Sequence, residues 1–277
     1  MNESPINKRS LTITATVSLL IAFSLFNINY FNRTTKVVFC DVGQGDSAYI
    51  RVNNRVDVLI DAGPNKEVLS CLGRHMPFWD RKIEIAILSH HDKDHYGGYI
   101  YLLDRYKVDN FLTVDYHFDS STYKKLVKKI KSMNINYRFV SKGQSFTVID
   151  SIFRLYWPPI DLKSYDSNDF SLIFSFDKND FRVLFSGDST PLALNSLSDQ
   201  SIKNINILKV PHHGSKNGLN KKFLDLADIK VAVISVGKNN SYGHPSKKIL
   251  DMLKAKNIVI KRTDIDGDIV FKLKELP

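Results

Sequence analysis

The sequence predicts an α/β domain in which two sheets lie between outer helices, and three observations indicate it. Short β-rich runs alternate with helical stretches from Lys36 onward, and no low-complexity linker or repeat interrupts them. Hydrophobic residues make up 43% and charged residues 25% of the 277-residue chain. Those proportions are typical of a folded domain and argue against a disordered or many-spanning membrane protein. Strands fill the first half, a helix crosses over, and further strands and a terminal helix follow, as a layered sandwich requires.

The predicted strands are short apolar runs bounded by turn residues. They cover residues 37–40, 48–52, 56–60, 84–88, 146–149, 171–176, 182–185, 207–210 and 231–236, with a final strand pair around 257–273. Helices are predicted over residues 123–131 and 246–255, where apolar side chains recur at helical spacing. Lysines form the polar face of the first of these helices. They indicate either a solvated surface or a binding surface.

Residues 1–35 differ from the rest of the chain. Lys8 and Arg9 precede residues 11–28, which hold no charged side chain. A run of about 18 residues is just long enough to cross a bilayer. Hydroxyl side chains weaken the run, and no small-residue cleavage signature follows it cleanly. We therefore expect a single N-terminal hydrophobic helix, followed by the folded domain over residues 36–277.

Three interpretations of this N-terminal segment are open. It is an uncleaved signal-anchor that spans the membrane, a cleaved signal peptide, or a buried or peripheral segment of the folded protein. The basic residues before the run favour a membrane-anchored protein with its catalytic domain extracytoplasmic, and secretion is the alternative. Arg33 and Lys36, on the far side of the run, weaken this orientation.

The chain carries a net charge of +10, from 39 Lys and Arg against 29 Asp and Glu. Such a field favours anionic partners such as nucleic acid, phosphorylated polymers or an acidic membrane surface. A solvated surface accounts for it equally well. Cys40 and Cys71 are the only cysteines, which excludes a disulfide framework and a paired-cysteine metal site. We interpret both as small buried apolar residues, with a single bridge left open.

The strongest chemical signal is the segment 88–98, Leu-Ser-His-His-Asp-Lys-Asp-His-Tyr-Gly-Gly. Five of its side chains can bind a metal, and they follow a strand end, where a loop can fold them around one point. His90, Asp92, Asp94 and His95 alternate so that two ligands can turn toward each of two adjacent metals. Imidazole together with carboxylate suits zinc or manganese. The two glycines let the backbone pass close to the site.

Further candidate ligands follow two later apolar strands. Asp188 comes after the strand 182–185, where a carboxylate can bridge two cations, although a helix-capping turn residue would look the same. His212 and His213 follow the strand 207–210. Because adjacent side chains of an extended chain point in opposite directions, we assign His213 to the second metal and His212 either to the substrate or to a contact with a metal ligand.

Segment 88–98 resembles the H-x-H-x-D-H signature of metallo-β-lactamase-fold hydrolases, with Asp92 in place of the second histidine. Residues 41–47 and 59–63 are similar to the opening of one branch, the C-terminal nuclease-like domain of the ComEC competence proteins and its free-standing relatives. Other matching segments follow in that family's order, at residues 168–172, 184–188, 209–215 and 242–246. The resemblance extends from about Lys36 to Leu273. It implies an αββα sandwich of two mixed sheets, a metal-dependent hydrolase and two divalent metal ions, zinc or manganese.

The resemblance and the residues together predict a site. The expected metal ligands are His90, Asp92, Asp94, His95, Asp188 and His213. The expected catalytic or substrate-contacting residues are Asp94, His212, His244, Asn168 and Ser215.

One ligand of the family's first metal is missing. Between Tyr96 and Gly187 the only histidine is His117, and Asn168 stands in the region that usually supplies the ligand. We therefore expect a first site that is weaker, that takes water in place of the ligand, or that binds its metal only with the substrate. Asp61 is expected to orient the metal loop by hydrogen bonding, whereas Asp41 and Asp46 are expected to be turn residues.

The favoured function is a metal-dependent phosphodiesterase, specifically a DNA nuclease that acts outside the cytoplasmic membrane. Its partners would be DNA or another phosphodiester substrate, and the membrane through the N-terminal segment; no protein partner is inferred. One alternative is hydrolysis of another phosphoester, such as a phosphocholine-bearing or wall polymer. The other is a non-catalytic, membrane-tethered nucleic-acid-binding module with a degenerate metal site.

Overall fold

The structure, a computed structural model, describes residues 8–31, 33–116, 119–197 and 202–273. The strands of this part of the chain are β1 Thr35–Phe39, β2 Ala48–Val52, β3 Val56–Ile60, β4 Lys82–Ile87, β5 Lys107–Thr113, β6 Asn136–Phe139, β7 Ser145–Val148, β8 Ser151–Trp157, β9 Ile173–Lys178, β10 Phe181–Phe185, β11 Ile205–Lys209, β12 Ile229–Ile234, β13 Val259–Arg262 and β14 Ile269–Leu273. The helices are α1 Lys8–Phe31, α2 Glu67–His75, α3 Lys93–Tyr96, α4 Tyr99–Leu102, α5 Ser121–Ser132, α6 Pro191–Asn195, α7 Lys221–Leu226, α8 Lys247–Ala255 and α9 Thr263–Asp266, with 3₁₀ turns at Ser167–Phe170 and Pro211–Gly214.

The strands form two mixed sheets. The order is β14-β1-β2-β3-β4-β5-β6 in the first sheet and β13-β12-β11-β10-β9-β8-β7 in the second. In each sheet one side is antiparallel and the other parallel: β3 to β6 run parallel, as do β10 to β13. Loops that follow parallel strands emerge at one edge of a sheet, which is where α/β proteins commonly place their ligands.

Apolar side chains fill three layers, one between the sheets and one beneath the helices on each outer face. Phe39, Phe174 and Phe185 stack between the sheets, with ring centroids 5.8 and 5.1 Å apart. Leu126 of α5 is buried against the first sheet and Leu253 of α8 against the second. Burial of each such side chain stabilises the fold by about 1.5–3 kcal/mol. The predicted αββα sandwich is confirmed.

The N-terminal segment differs from the membrane anchor that the sequence predicted. Residues 8–31 are helical, but within the described residues no helix is both long and apolar enough to span a bilayer. Hydroxyl side chains interrupt the apolar run, and those of Thr14 and Thr16 bond back to main-chain carbonyls of α1 (2.9 Å each). The predicted membrane-anchored localisation is therefore wrong, and the extracytoplasmic placement and the membrane partner lose their basis. Residues 1–7 and 274–277 lie outside the described residues, and the division at residue 35 stays a prediction.

The end of the chain is also arranged differently from the prediction. Instead of pairing with each other, β13 pairs with β12 in the second sheet and β14 pairs with β1 in the first. Leu273 lies opposite Thr35 in this ladder, and Ile269 opposite Phe39. The pattern of apolar residues identified both strands, but only the partner strand decides the sheet that each one joins.

Cys40 and Cys71 form a disulfide between the end of β1 and α2, with Cα atoms 5.8 Å apart. Both side chains are fully buried, so the expected burial is confirmed and the interpretation as separate thiols is wrong. The bridge closes a loop with a sequence separation of 31. Closing a loop of that length stabilises a fold by about 3–4 kcal/mol.

Candidate metal centre

The loop after β4 is held in place by one buried carboxylate. Asp61 accepts hydrogen bonds from the Ser89 N–H (2.7 Å), the Ser89 hydroxyl (2.7 Å) and His95 Nδ1 (2.9 Å). With Nδ1 engaged, the His95 ring presents Nε2 to Asp188, 3.3 Å from its Oδ1. A carboxylate that fixes the tautomer and orientation of an imidazole is a common support of metal-binding histidines. The geometry agrees with the orienting role expected of Asp61.

The two glycines of the loop allow close packing against a neighbouring turn. A Cβ on Gly97 would lie 2.2 Å from the Pro64 carbonyl oxygen, and one on Gly98 would lie 1.9 Å from that of Ala62. Neither approach is sterically possible for a larger residue. The metal loop is therefore locked to residues 62–65, as the predicted close backbone approach requires.

Four side chains from distant parts of the sequence converge beside this loop. One ligand atom from each of Asp94, His95, Asp188 and His213 lies within 4.8 Å of the others. His213 Nε2 is 3.2 Å from Asp94 Oδ2 and 3.4 Å from Asp188 Oδ2. The supporting loops follow β4, β10 and β11, which places carboxylates and imidazoles at the carboxyl ends of strands from both sheets.

Opposite charges in this cluster displace its pKa values. Burial by itself raises the pKa of Asp188, but the His213 and His95 rings outweigh burial and hold that pKa well below its usual range. Burial lowers the pKa of each ring, but nearby carboxylates, with Asp188 foremost, raise the pKa of His95 and of His213 well above the usual value. Without a metal, protons on the two rings balance the carboxylates. A divalent cation would supply that positive charge in place of the protons.

His212 and His213 occupy a left-handed turn rather than an extended chain, with φ of 51° and 52°. Such a conformation costs on the order of 1–3 kcal/mol per residue and is concentrated at functional sites. It lets both rings approach one carboxylate: His213 is buried, whereas His212 Nε2 lies 4.0 Å from Asp188 Oδ2 with its side chain 29% exposed. The premise of an extended chain was therefore wrong, and the division of roles between the two rings stays a prediction.

His90, Asp92 and Asn168 lie outside the cluster of four. His90 Nε2 is 3.4 Å from Asp92 Oδ2, and the His90 and His95 ring centroids are 4.1 Å apart. Asn168 sits in the first 3₁₀ turn, and the segment after it pairs through the Leu172 N–H with the Ser89 carbonyl (2.9 Å).

Buried polar atoms without hydrogen-bond partners occur in both groups of side chains. Within the described residues they include His90 Nε2, His95 Nε2, Asp188 Oδ1 and Asn168 Oδ1. Buried polar atoms are otherwise almost always bonded. Divalent cations are coordinated by imidazole nitrogens and carboxylate or amide oxygens of this kind. The residues present therefore fit metal ions.

His244 and Ser215 lie at the margin of the centre. The His244 ring stacks on Tyr242 and is centred 6.0 Å from the His212 ring. Burial and then His212 lower the pKa of His244, so its ring is neutral at neutral pH. The Ser215 N–H donates to the His212 carbonyl (2.7 Å), and its hydroxyl accepts from the Asn217 N–H (3.4 Å). Ser215 thus braces the histidine turn.

Asp46 and Lys209 are two charged residues that the sequence interpretation missed. Lys209 is buried and forms an ion pair with Asp46, while its ammonium donates to the Gly187 carbonyl (3.0 Å) and lies 3.7 Å from Asp188 Oδ1. Asp46 Oδ1 is also 3.3 Å from His213 Nδ1. A lysine at the end of an apolar strand, three residues before the histidine pair, was the available signal. Asp46 was expected to be a turn residue only, yet its carboxylate faces the centre.

His91 is as fully buried as His90 before it, but its ring contacts a different set of side chains. Its ring stacks on Tyr123 with centroids 4.2 Å apart, and its Nε2 lies 3.1 Å from the Thr113 hydroxyl. Burial, followed by the neighbouring His90, lowers the pKa of His91 to about 3. It therefore stays neutral and faces away from the cluster of four. His117 lies outside the described residues.

Comparisons with known proteins confirm the resemblance to the ComEC competence proteins. The chain is 28% identical to ComE operon protein 3 of Bacillus subtilis over 97% of its length, 25% identical to competence protein ComA of Neisseria gonorrhoeae over 86%, and 26% identical to recombination protein 2 of Haemophilus influenzae over 91%. It spans only 37%, 32% and 30% of those three proteins. No family model matches the chain.

Solved structures establish the metallo-β-lactamase fold. The protein YhfI of Bacillus subtilis, which has this fold, covers 87% of the chain and is itself covered completely, with a TM-score of 0.59 and 13% identity. Igni18, a metallo hydrolase of Ignicoccus hospitalis, gives 0.58 with 15% identity over 87% of this chain and 100% of that one. Zn²⁺-bound PqqB of Methylobacterium extorquens gives 0.56 with 11% identity over 86% and 100%. At these identities the likeness establishes the fold alone.

Proposed function

We propose that this chain is a metal-dependent phosphodiesterase whose substrate is DNA. The observation that carries the proposal is the buried convergence of Asp94, His95, Asp188 and His213 within 4.8 Å. Relatives named as competence and recombination proteins support DNA as the substrate. The net charge of +10 supports it as well, because Lys and Arg contacts to phosphates supply most sequence-independent affinity.

The residues divide into two sets of ligands around Asp188. Asp94, His95 and His213 would hold one divalent cation, and His90, Asp92 and Asn168 would hold the other, with Asp188 between them. Divalent cations in such a pair supply Lewis-acid activation of water and offset the charge that builds up on a phosphate. Zinc and manganese both suit this mixture of imidazole and carboxylate.

The chain's own residues would orient the substrate. The partly exposed His212 ring lies on the open side of Asp188, where it would donate a hydrogen bond to a phosphate oxygen. His244, neutral and next to His212, would contact the leaving-group oxygen. Lys209 and Asp46 are too deeply buried to reach a substrate. Their ion pair would hold the Gly187–Asp188 turn in position.

The test is hydrolysis by the full-length chain with Mn²⁺ or Zn²⁺, using single- and double-stranded DNA, RNA and bis(p-nitrophenyl) phosphate as substrates. We expect cleavage of DNA by the wild type and none by Asp188→Asn. Asp251→Asn is the matched control, because Asp251 is an exposed carboxylate on the outer helix α8. Cleavage of small phosphodiesters without cleavage of DNA would favour the wall-polymer alternative, and DNA binding without turnover would favour the binding module.

A further inference from the structure

A groove with a volume of about 540 Å³ lies between α5 and the edge strand β6. Aromatic rings form its floor and lysines form one rim. We call it the aromatic–lysine groove, and the side chains that define it are Tyr116, Tyr123, Lys128, Lys131, Tyr137 and Phe139. None of them belongs to the two sets of metal ligands.

The aromatic floor consists of rings that are each held by contact with a neighbouring ring. Tyr123 stacks on His91, and Tyr137 stacks on the buried Phe111 with centroids 5.9 Å apart. Phe139 stands edge-on to Tyr137 at 5.4 Å and is 51% exposed. An aromatic ring that is exposed but fixed by a neighbour offers a flat, preformed surface to another flat group.

The lysine rim follows from the helical repeat. Lys124, Lys128 and Lys131 line the groove, and their spacing of four and three residues places them on one side of α5. Lys124 forms an ion pair with Asp119. In the described part of the chain no carboxylate lies within ion-pair distance of Lys128 or Lys131, and both are exposed. The rim therefore carries uncompensated positive charge.

The groove adjoins the candidate metal centre at two points. His91, which forms part of its wall, directly follows the proposed ligand His90. Tyr116 stacks on Phe170 with centroids 4.2 Å apart, and Phe170 ends the 3₁₀ turn that carries Asn168. A polymer lying in the groove would thus pass the ligands of one proposed cation.

We propose that the aromatic–lysine groove binds single-stranded DNA and leads it to the metal centre. The proposal rests on the proposed function, since it names the strand state of that substrate. Aromatic rings that line an open groove beside lysines without carboxylate partners fit a chain of unstacked bases and phosphates, because each base has a face to stack and each phosphate a charge to neutralise. A duplex hides its base faces and could use only the lysines.

The groove is tested by measuring how tightly the full-length chain binds a fluorescein-labelled oligothymidylate of about 16 nucleotides. Fluorescence anisotropy in the presence of EDTA reports the binding. We expect Phe139→Ala to weaken binding about tenfold, because loss of one stacking ring typically has that effect. Phe139→Tyr keeps a ring and should restore affinity. The Lys128→Ala/Lys131→Ala double variant should reduce the slope of log affinity against log salt by about 1.4, or 0.7 per phosphate contact.

The matched control is Lys222→Ala/Lys248→Ala, which removes two exposed lysines from α7 and α8 on the opposite face of the sandwich. It should change neither the affinity nor the slope. Groove variants that bind like the wild type, equal affinity of the wild type for a duplex, or a preference for oligouridylate would each overturn the proposal. Failure of the proposed function is distinct: it is the absence of phosphodiester hydrolysis with Mn²⁺ or Zn²⁺, whatever the groove variants bind.

Discussion

The two halves that we propose for the candidate metal centre are built differently. The dense half consists of Asp94, His95, Asp188 and His213, and the sparse half of His90, Asp92 and Asn168. The dense half brings two carboxylates and two imidazoles within 4.8 Å. The sparse half has one carboxylate, one imidazole and a neutral amide, and the group of four does not include it.

The hydrogen bonds that hold the histidine rings in place also differ between the two halves. His95 Nδ1 is held by the Asp61 carboxylate (2.9 Å) and His213 Nδ1 by the Ser235 carbonyl (2.9 Å). Among the residues that the structure describes, His90 Nδ1 has only the Ser89 hydroxyl as a partner, at 3.1 Å, and Asp61 shares that hydroxyl. Supporting hydrogen bonds pre-organise a ligand and raise its basicity. We therefore expect the dense half to take its cation first and to hold it more tightly.

Removing Asp188, the carboxylate that we propose both halves share, should produce the largest effect. Asp188→Asn keeps the size of the side chain but removes its charge, and we expect hydrolysis to fall by at least about 1000-fold. Metal content measured by mass spectrometry should drop in both halves. Loss of only one equivalent of metal would mean that Asp188 serves one half alone, and Asp251→Asn should retain wild-type rate and content.

The pH dependence of metal affinity should separate the halves. Because carboxylates raise the pKa of His95 and of His213, both rings are protonated at neutral pH and must lose protons to bind a metal. Affinity of the dense half should therefore rise with pH, by up to about 100-fold per pH unit if two protons leave.

Titration calorimetry with Mn²⁺ between about pH 6 and 8 measures this slope, and a pH-independent affinity would contradict it. The stability of the metal-free protein should change with pH in the opposite direction, falling as pH rises. Its ion pairs stabilise the fold fully below the unfolded histidine pKa of about 6.5, and this stabilisation is lost as pH rises through the raised folded pKa.

Weakening the support behind the dense half should have a smaller effect. In Asp61→Asn the amide can still accept from the Ser89 N–H, but it no longer offers a charged partner to His95. We expect metal affinity to fall about 10- to 100-fold, as measured by competition with a zinc indicator. An effect as large as that of Asp188→Asn would mean that the loop itself had collapsed, which circular dichroism and thermal unfolding would detect.

Strengthening the sparse half should have the smallest effect. Asp92→His adds a second imidazole beside His90, and we expect it to shift preference from manganese toward zinc by on the order of tenfold. The measurement is metal content after equilibration with both ions. Lys93→His is the control, because it adds an imidazole to the same loop outside the predicted ligand positions. A shift of equal size in that variant would contradict the role of Asp92.

The sequence could locate candidate residues that lie close together along the chain or directly after a strand. Residues 88–98 hold several candidate ligands within one loop, and Asp188 and the histidine pair each follow an apolar strand, so their positions at strand ends could be inferred. Prediction failed for residues whose role depends on distant partners. Asp46 looks like a turn residue until Lys209 and His213, from the other half of the chain, lie beside it.

The sequence by itself determined most strand positions, the layered α/β class and the candidate ligands, because each depends on periodicity or on neighbours within a few residues. The tertiary structure decided which sheet β14 joins, that Cys40 bonds to Cys71, and that the left-handed turn brings both His212 and His213 to Asp188. It also decided against a membrane-spanning helix in the described residues. The physical reason is range: periodicity is local, whereas strand pairing, disulfide geometry and convergence of charges require contacts between residues far apart in the chain.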